Sequence, residues 1–228
     1  MSKFTITPIA HIENDFKSKF GIPRQSGIAA DNVSYIIFEP EYRIPEALKG
    51  IEEYSHLWLI WQFSESISYS FRPTVRPPRL GGNKRVGVFA TRSPFRPNSL
   101  GLSSVKLAGV EKTQKHGLVL KVLGADLMNG TPIFDIKPYV KYSDSHPDAV
   151  CSFSDTFSDY SLDVSVPDEL RADIPADKLE PLIEALKSDP RPSYQNDPKR
   201  VYSFEYADLS VSFRVEGNVL YVTRVNVI

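Results

Sequence analysis

The sequence predicts a mainly β protein of two units: an N-terminal antiparallel or mixed β-barrel over residues 1–143 and a smaller α+β unit over residues 144–228. Three observations carry that expectation. Short runs rich in Val, Ile, Phe, Tyr and Thr recur between breaks of Gly, Pro and Asn. The runs follow one another without regular intervening helices, which argues against a doubly wound parallel sheet. Around Ser143–Pro147 the chain turns polar and acidic, as at a unit boundary, before a helical pattern begins.

In chain order, Phe4–Ile12, Val33–Phe38, Leu57–Phe63, Val86–Thr91, Ser103–Val110, Leu118–Leu123 and Pro132–Tyr139 read as strands. Pro45–Tyr54 reads as the one helix of this half, with Pro45 in the first turn, where its missing N–H costs nothing. In the second unit Leu179, Leu182, Ile183 and Leu186 have the three- and four-residue spacing of an amphipathic helix over Asp177–Lys187, stopped by Asp189-Pro190. Three strands follow, Val201–Tyr206, Leu209–Val215 and Val219–Val225, the last two joined by a tight turn at Glu216-Gly217-Asn218.

With 228 residues the chain can bury a sizeable core. No apolar run approaches the roughly 20 residues of a membrane-spanning helix. The start, MSKFTITPIAHIEND, has neither the basic flank nor the apolar block of a secretory leader, so a cytoplasmic protein is expected. Cys151 is the single cysteine, which excludes an internal disulfide. The four histidines are scattered without ligand spacing, and no metal is expected.

The net charge of −1 conceals a segregation. From Ser66 to Val110 there are eight Lys or Arg residues and no Asp or Glu, leaving 19 cationic against 28 acidic residues elsewhere. Such a segment is either a solvated surface loop or a face that binds phosphates. Its heart, RPPRLGGNKRVGVFATRSPFRPNSLGLSSV, interleaves arginine with proline, which stiffens the backbone and suits bidentate recognition of phosphate or carboxylate. A plain structural turn between strands is the competing reading. Phe89 and Ala90 within it read as core residues.

A second segment, GADLMNGTPIFDIKPYVKYSD, sets Asp126, Asp135 and Lys137 among apolar residues. In a strand beginning at Pro132, period-two alternation puts Ile133, Asp135 and Lys137 on one face. That carboxylate and ammonium form either a structural ion pair or the wall of a ligand site. A third, FGIPRQSGI, is a Gly- and Pro-marked loop whose backbone groups either face a ligand or merely connect strands. Trp58 and Trp61 read as packing residues of a buried strand, and His56 as structural.

The ordered strings PRQSG, EYSHLW, RPPRLGGNKRVGVFATRSPFRPNSLG and GTPIFDIKPY, together with DPRPSY at Asp189–Tyr194, resemble the tRNA-methyltransferase O family over nearly the whole chain. Ser193 stands where the resemblance leads one to expect alanine. That last string is expected to lie away from the cofactor site. The resemblance implies a β-barrel methyltransferase that binds S-adenosylmethionine without a Rossmann fold, in keeping with the lack of a G-x-G-x-x-G fingerprint. It further implies a homodimer that adds a methyl group to N6 of threonylcarbamoyladenosine, beside the tRNA anticodon.

By resemblance the cofactor pocket comprises Ser26, Gly27, Ile28, Arg96, Phe134, Asp135, Ile136 and Lys137, with Ser66 and Ile67 as lesser members. Asp126 and Asp135 are the candidate proton acceptors for a ureido N–H, which is a poor nucleophile while protonated. Arg72, Arg76, Arg79, Arg85 and Arg92 are the candidates for holding the anticodon stem-loop through its phosphates. The alternative is a non-enzymatic RNA-binding barrel in which the same basic residues and aromatics serve recognition alone.

Overall fold

A computed structural model describes residues 4–67, 70–77, 80, 83–157, 160–191, 195 and 197–228. Six strands form the first sheet: β1 (Ala10–Glu13), β2 (Val33–Phe38), β3 (His56–Gln62), β6 (Leu100–Thr113), β7 (Gly117–Leu123) and β8 (Pro132–Pro138). They run in the order β1-β2-β7-β6-β3-β8, every neighbouring pair antiparallel, and β8 pairs back onto β1 through Ala10↔Ile133, so the sheet closes on itself. Closure leaves no long edge with unpaired backbone groups.

The strand β6 makes closure possible. Its first half, Leu100–Lys106, pairs with β3, and its second half, Lys106–Thr113, pairs with β7. A bulge between Leu107 and Gly109 lies where it changes partners, and a bulge of this kind bends a strand and raises its twist. Alternation then buries one face: Ala10, Ile12, Ile36, Leu57, Leu59, Val105, Leu120, Val122 and Ile133 fill the interior, joined by Ala125 and Leu127 from the segment after β7.

A short ribbon, β4 (Thr74–Val75) with β5 (Val86–Gly87), projects between β3 and β6. After Lys141–Asp144 (α1) and Asp168–Arg171 (α2), the long helix α3 (Ala176–Lys187) covers a second sheet. That sheet comprises β9 (Asp163–Ser165), β10 (Tyr202–Tyr206), β11 (Leu209–Glu216) and β12 (Val219–Val227), in the order β10-β11-β12-β9. Leu182, Ile183, Ala185 and Leu186 of α3 meet Phe204, Val211, Phe213, Leu220 and Val222 in its core. The two-residue connection Gly217-Asn218 follows from the pairing of Glu216 with Val219.

The loop between β1 and β2 enters this second core. Phe16 and Ala29 are buried there, Phe20 and Ile22 pack against it, and the Phe20 ring lies nearly parallel to that of Phe213 at 6.3 Å. Residues 14–31 thus form a strap from the closed sheet to the other one. Further ties are the pair Asp15–Lys178 at 2.5 Å and an isolated bridge between Phe16 and Tyr206.

Several elements depart from the sequence expectation. The helix expected over Pro45–Tyr54 is two 3-10 turns, Pro45–Leu48 and Ile51–Glu53, separated at Gly50, whose φ of 86° is left-handed. The strand expected over Phe4–Ile12 begins at Ala10, because pairing to β2 and β8 starts there. Val86–Thr91 is a two-residue strand followed by a 3-10 turn, Val88–Ala90, which turns Val88 inward and leaves Phe89 and Ala90 exposed rather than in the core. The strand β9, parallel to β12, was not expected.

Candidate functional site

A buried polar chain crosses the closed sheet. Gly101, Ser103 and Val105 alternate inward on β6. A Cβ on Gly101 would come within 2.3 Å of the Trp61 ring, so glycine there lets the indole lie flat against the strand. Trp61 Nε1 donates to Ser103 Oγ at 2.9 Å, and Ser103 Oγ donates to Asp126 Oδ1 at 2.5 Å. Trp61 therefore packs, as expected, and also orients a hydroxyl.

Asp126 stands two residues beyond Gly124, where the chain turns with a φ of 73°. Gly27 N–H donates to Gly124 O at 2.8 Å, and a Cβ on Gly124 would lie 3.2 Å from Gly27 Cα. Glycine at 124 thus serves both the left-handed turn and the close approach of the PRQSG loop. Burial pushes the Asp126 carboxyl above the ordinary carboxylate range. The Ser103 hydroxyl, the backbone N–H groups of Asp126 and Ser26, and the charge of Arg92 oppose that rise. Arg92 Nη1 in turn donates to Gln25 Oε1 at 2.5 Å. Ser26, Gly27, Asp126 and Arg92 are thus brought together from three separate stretches of sequence.

The same loop is anchored to the second unit. Arg24 Nη2 donates to the main-chain oxygens of Asp189 (3.2 Å) and Arg191 (2.6 Å). Asp189 and Arg191 are buried and joined by two parallel bonds of 2.8 and 2.9 Å, while Tyr160 OH donates to Asp189 Oδ2 at 2.7 Å. Burial raises the Asp189 pKa, but the hydrogen bonds from Arg191 and Tyr160 and the charge of Arg191 outweigh it and hold the carboxyl below its ordinary value. The described part of the DPRPSY string therefore touches the PRQSG loop at Arg24, two residues before Ser26. Pro192, Ser193 and Tyr194 lie outside the described residues.

The β8 residues form a second group. Asp135 Oδ2 and Lys137 Nζ pair at 3.0 Å, and Asp135 Oδ1 accepts the Ile136 N–H at 2.9 Å. The three residues expected on one face are divided: Ile133 is buried in the interior, whereas the Asp135 side chain is half-buried and that of Lys137 is exposed. A bulge explains it, since Trp61 pairs with Ile133 but Ile60 with Asp135, leaving Phe134 as the extra residue. Ile136 thereby returns to the interior side, lining a cavity of about 220 Å³ with Ile9, Tyr42 and Leu48.

Ser66 Oγ accepts from Lys19 Nζ at 3.1 Å, which ties the end of β3 to the strap, while Ile67 and Ile28 are exposed. Arg96 braces its own loop, its Nη1 donating to the carbonyls of Thr91 (3.0 Å) and Ser93 (3.3 Å). Arg72, Arg76, Arg85 and Arg92 are exposed, and Arg79 lies outside the described residues. Among the described residues no carboxylate lies within salt-bridge distance of these four or of Arg96. Arg92 alone of them acts on a carboxylate, that of Asp126, through its charge; the others carry charge without an ion pair among the described residues, as a phosphate-binding surface requires.

Sequence reasoning missed Ser103, Gln25 and the pairing of Arg24 with Asp189 and Arg191. Ser103 had a signal: a serine on the inward face of an otherwise apolar strand needs a polar partner. Among the described residues no group of three His, Cys, Asp or Glu is placed to hold a metal ion, and no helix is long and apolar enough to cross a membrane.

Fold and site together define a mainly β protein with a carboxylate set against a closed sheet beside a cationic arm free of acidic residues. Residues 11–145 match the family model of the tRNA-methyltransferase O N-terminal domain, and residues 160–228 that of the TrmO C-terminal domain. The tRNA (adenine(37)-N6)-methyltransferase of Escherichia coli K12 is 38% identical, over 94% of each chain. A putative S-adenosylmethionine-dependent methyltransferase RcsF of Pseudomonas aeruginosa PAO1 is 39% identical, covering 91% of this chain and 90% of that one. A crystal structure of TrmO from Pseudomonas aeruginosa superposes with a TM-score of 0.76 at 31% identity, over 99% of this chain and all of that one. The chain belongs to the tRNA-methyltransferase O family.

Proposed function

We propose that this S-adenosylmethionine-dependent tRNA methyltransferase acts on N6 of threonylcarbamoyladenosine beside the anticodon, as a cytoplasmic homodimer. Residues 1–143 are assigned to the methyltransferase unit and 144–228 to an accessory unit that holds the PRQSG loop. The observation that carries the reading is the Asp126 carboxylate, raised by burial and hydrogen-bonded by Ser103 and the Ser26 backbone.

The donor set suits the cofactor. Lys137 and Arg96 offer cations for the carboxylate of its methionine moiety, and Asp135 offers an anion for its amino group or a ribose hydroxyl. The backbone of Ser26, Gly27 and Ile28 and of Phe134 and Ile136 supplies groups for its base, with Ser66 and Ile67 at the margin. When bound, the cofactor supplies a methyl group already activated on a sulfonium centre. Alignment is therefore most of the protein's task.

Asp126 takes the ureido proton of the acceptor nitrogen, since a raised pKa makes its ionised form the stronger base. Ser103 and Trp61 hold that carboxylate in one orientation. Asp135, paired with Lys137, orients rather than accepts protons. Arg72, Arg76, Arg79, Arg85 and Arg92 hold the anticodon stem-loop through phosphates.

The test is methyl transfer from labelled S-adenosylmethionine to tRNA carrying threonylcarbamoyladenosine, beside the same tRNA lacking it. Incorporation into the modified tRNA alone is expected. Equal incorporation into both assigns the acceptor to another site, and absence of incorporation and of cofactor binding favours the non-enzymatic RNA-binding barrel.

A further inference from the structure

The ribbon β4–β5 carries an aromatic pair that the reaction does not use. Val88 N–H donates to Pro73 O at 2.9 Å, just below the pairs Thr74↔Gly87 and Val75↔Val86, which sets Phe71 and Phe89 side by side. Their rings lie 6.3 Å apart at 24°, with 57% of Phe71 and 74% of Phe89 exposed. Val88, buried next door, fixes the turn that directs Phe89 outward. The pair is preorganised, since an aromatic ring has few rotatable bonds and each ring restrains the other.

Its surroundings select the partner. Arg72 adjoins Phe71, and Arg85, steered by a 2.9 Å bond from Nη1 to Thr74 Oγ1, stands on the same ribbon. No Asp or Glu occurs between Ser66 and Val110. A protein partner for exposed phenylalanines does not require this excess of cation, whereas a flat, apolar group borne on a phosphate chain does. Aromatic faces flanked by arginines are the means by which proteins hold unpaired nucleotides. We propose that Phe71 and Phe89 form a stacking site for an unpaired base of the RNA substrate, with Arg72 and Arg85 on the adjoining phosphates. The site rests on the reading of this chain as a tRNA-modifying enzyme and adds to it the grip on the strand.

The test compares the full-length protein with Phe71→Leu, Phe89→Leu and Phe89→Tyr in binding tRNA that carries threonylcarbamoyladenosine, over a range of salt. Each leucine variant is expected to lose about 5- to 100-fold in affinity, as loss of one stacked base does, with its salt slope unchanged. Phe89→Tyr keeps a π-face and is expected to bind like the parent. Arg85→Ala is expected to lower the salt slope instead. Leucine variants that bind and methylate tRNA normally overturn the stacking site and leave the enzymatic reading standing. Leucine variants whose oligomeric state changes in sedimentation also overturn it, assigning the rings to contact with a second copy. A parent protein that neither binds nor methylates tRNA removes both.

Discussion

Asp126 receives two contributions that act in opposite directions: burial disfavours its charge, and Ser103, Ser26 and Arg92 favour it. Replacement by Asn keeps the shape and removes the proposed base. Methyl transfer by Asp126→Asn is expected to fall by about two to four orders of magnitude, with cofactor affinity little changed in equilibrium binding. Stability also carries its mark. A folded-state pKa above the unfolded one means that the folded chain holds the proton longer, so this contribution is complete below the unfolded value and is lost as pH rises through the folded one. Denaturant titrations of Asp126→Asn over that window are expected to be flatter in pH than those of the parent. Asp189 behaves in the opposite sense: its depressed pKa gives stability that is present above the unfolded carboxylate value and lost as pH falls through the folded one. Arg191→Met leaves that carboxylate buried without its partner and is expected to cost about 3–5 kcal/mol in chemical denaturation.

At the level of elements, β6 has least tolerance, because it faces β3, β7 and the Trp61 ring in turn. Gly101→Ala is expected to cost about 1–3 kcal/mol by overpacking, measured by thermal or denaturant unfolding. The cationic arm is different: Arg76 is exposed, so Arg76→Ala is expected to leave stability unchanged while lowering the slope of log K against log salt by about 0.7 to 0.9 for tRNA binding. The strands β3, β10 and β11, which bury alternate side chains along their whole length, were legible in the sequence, as were β2 and β7 from their runs of β-branched and aliphatic residues. Those that owe their existence to a distant partner were not. The strand β9 has three residues and no pattern of its own, and exists by pairing with β12. Likewise the carboxylate of Asp126 was visible among apolar residues, but its bond to Ser103 depends on how β6 packs against the turn after β7. The contact of Arg24 with Asp189 spans 165 positions, a distance over which local periodicity carries no information.

On the scale of the molecule, the strap of residues 14–31 is the unusual feature. It leaves the closed sheet after β1, places Phe16, Phe20 and Ile22 against the core under α3, and returns past Ala29 to β2. Arg24 and the pair Asp15–Lys178 fasten its two sides. The loop that approaches Asp126 is therefore held by groups of the second unit, and Arg24→Gln is expected to raise KM for the cofactor several-fold while changing the melting temperature little. Normal KM in that variant, measured in the methyl-transfer assay, removes the second unit from any part in positioning. The strap has one more consequence. Along the chain the two units are joined by exposed residues near Asp148–Ser152, which a protease can reach. Because part of the first unit is embedded in the second, a single cut there does not set them apart: the nicked molecule is expected to elute as one particle in gel filtration, coming apart into two pieces only when denatured.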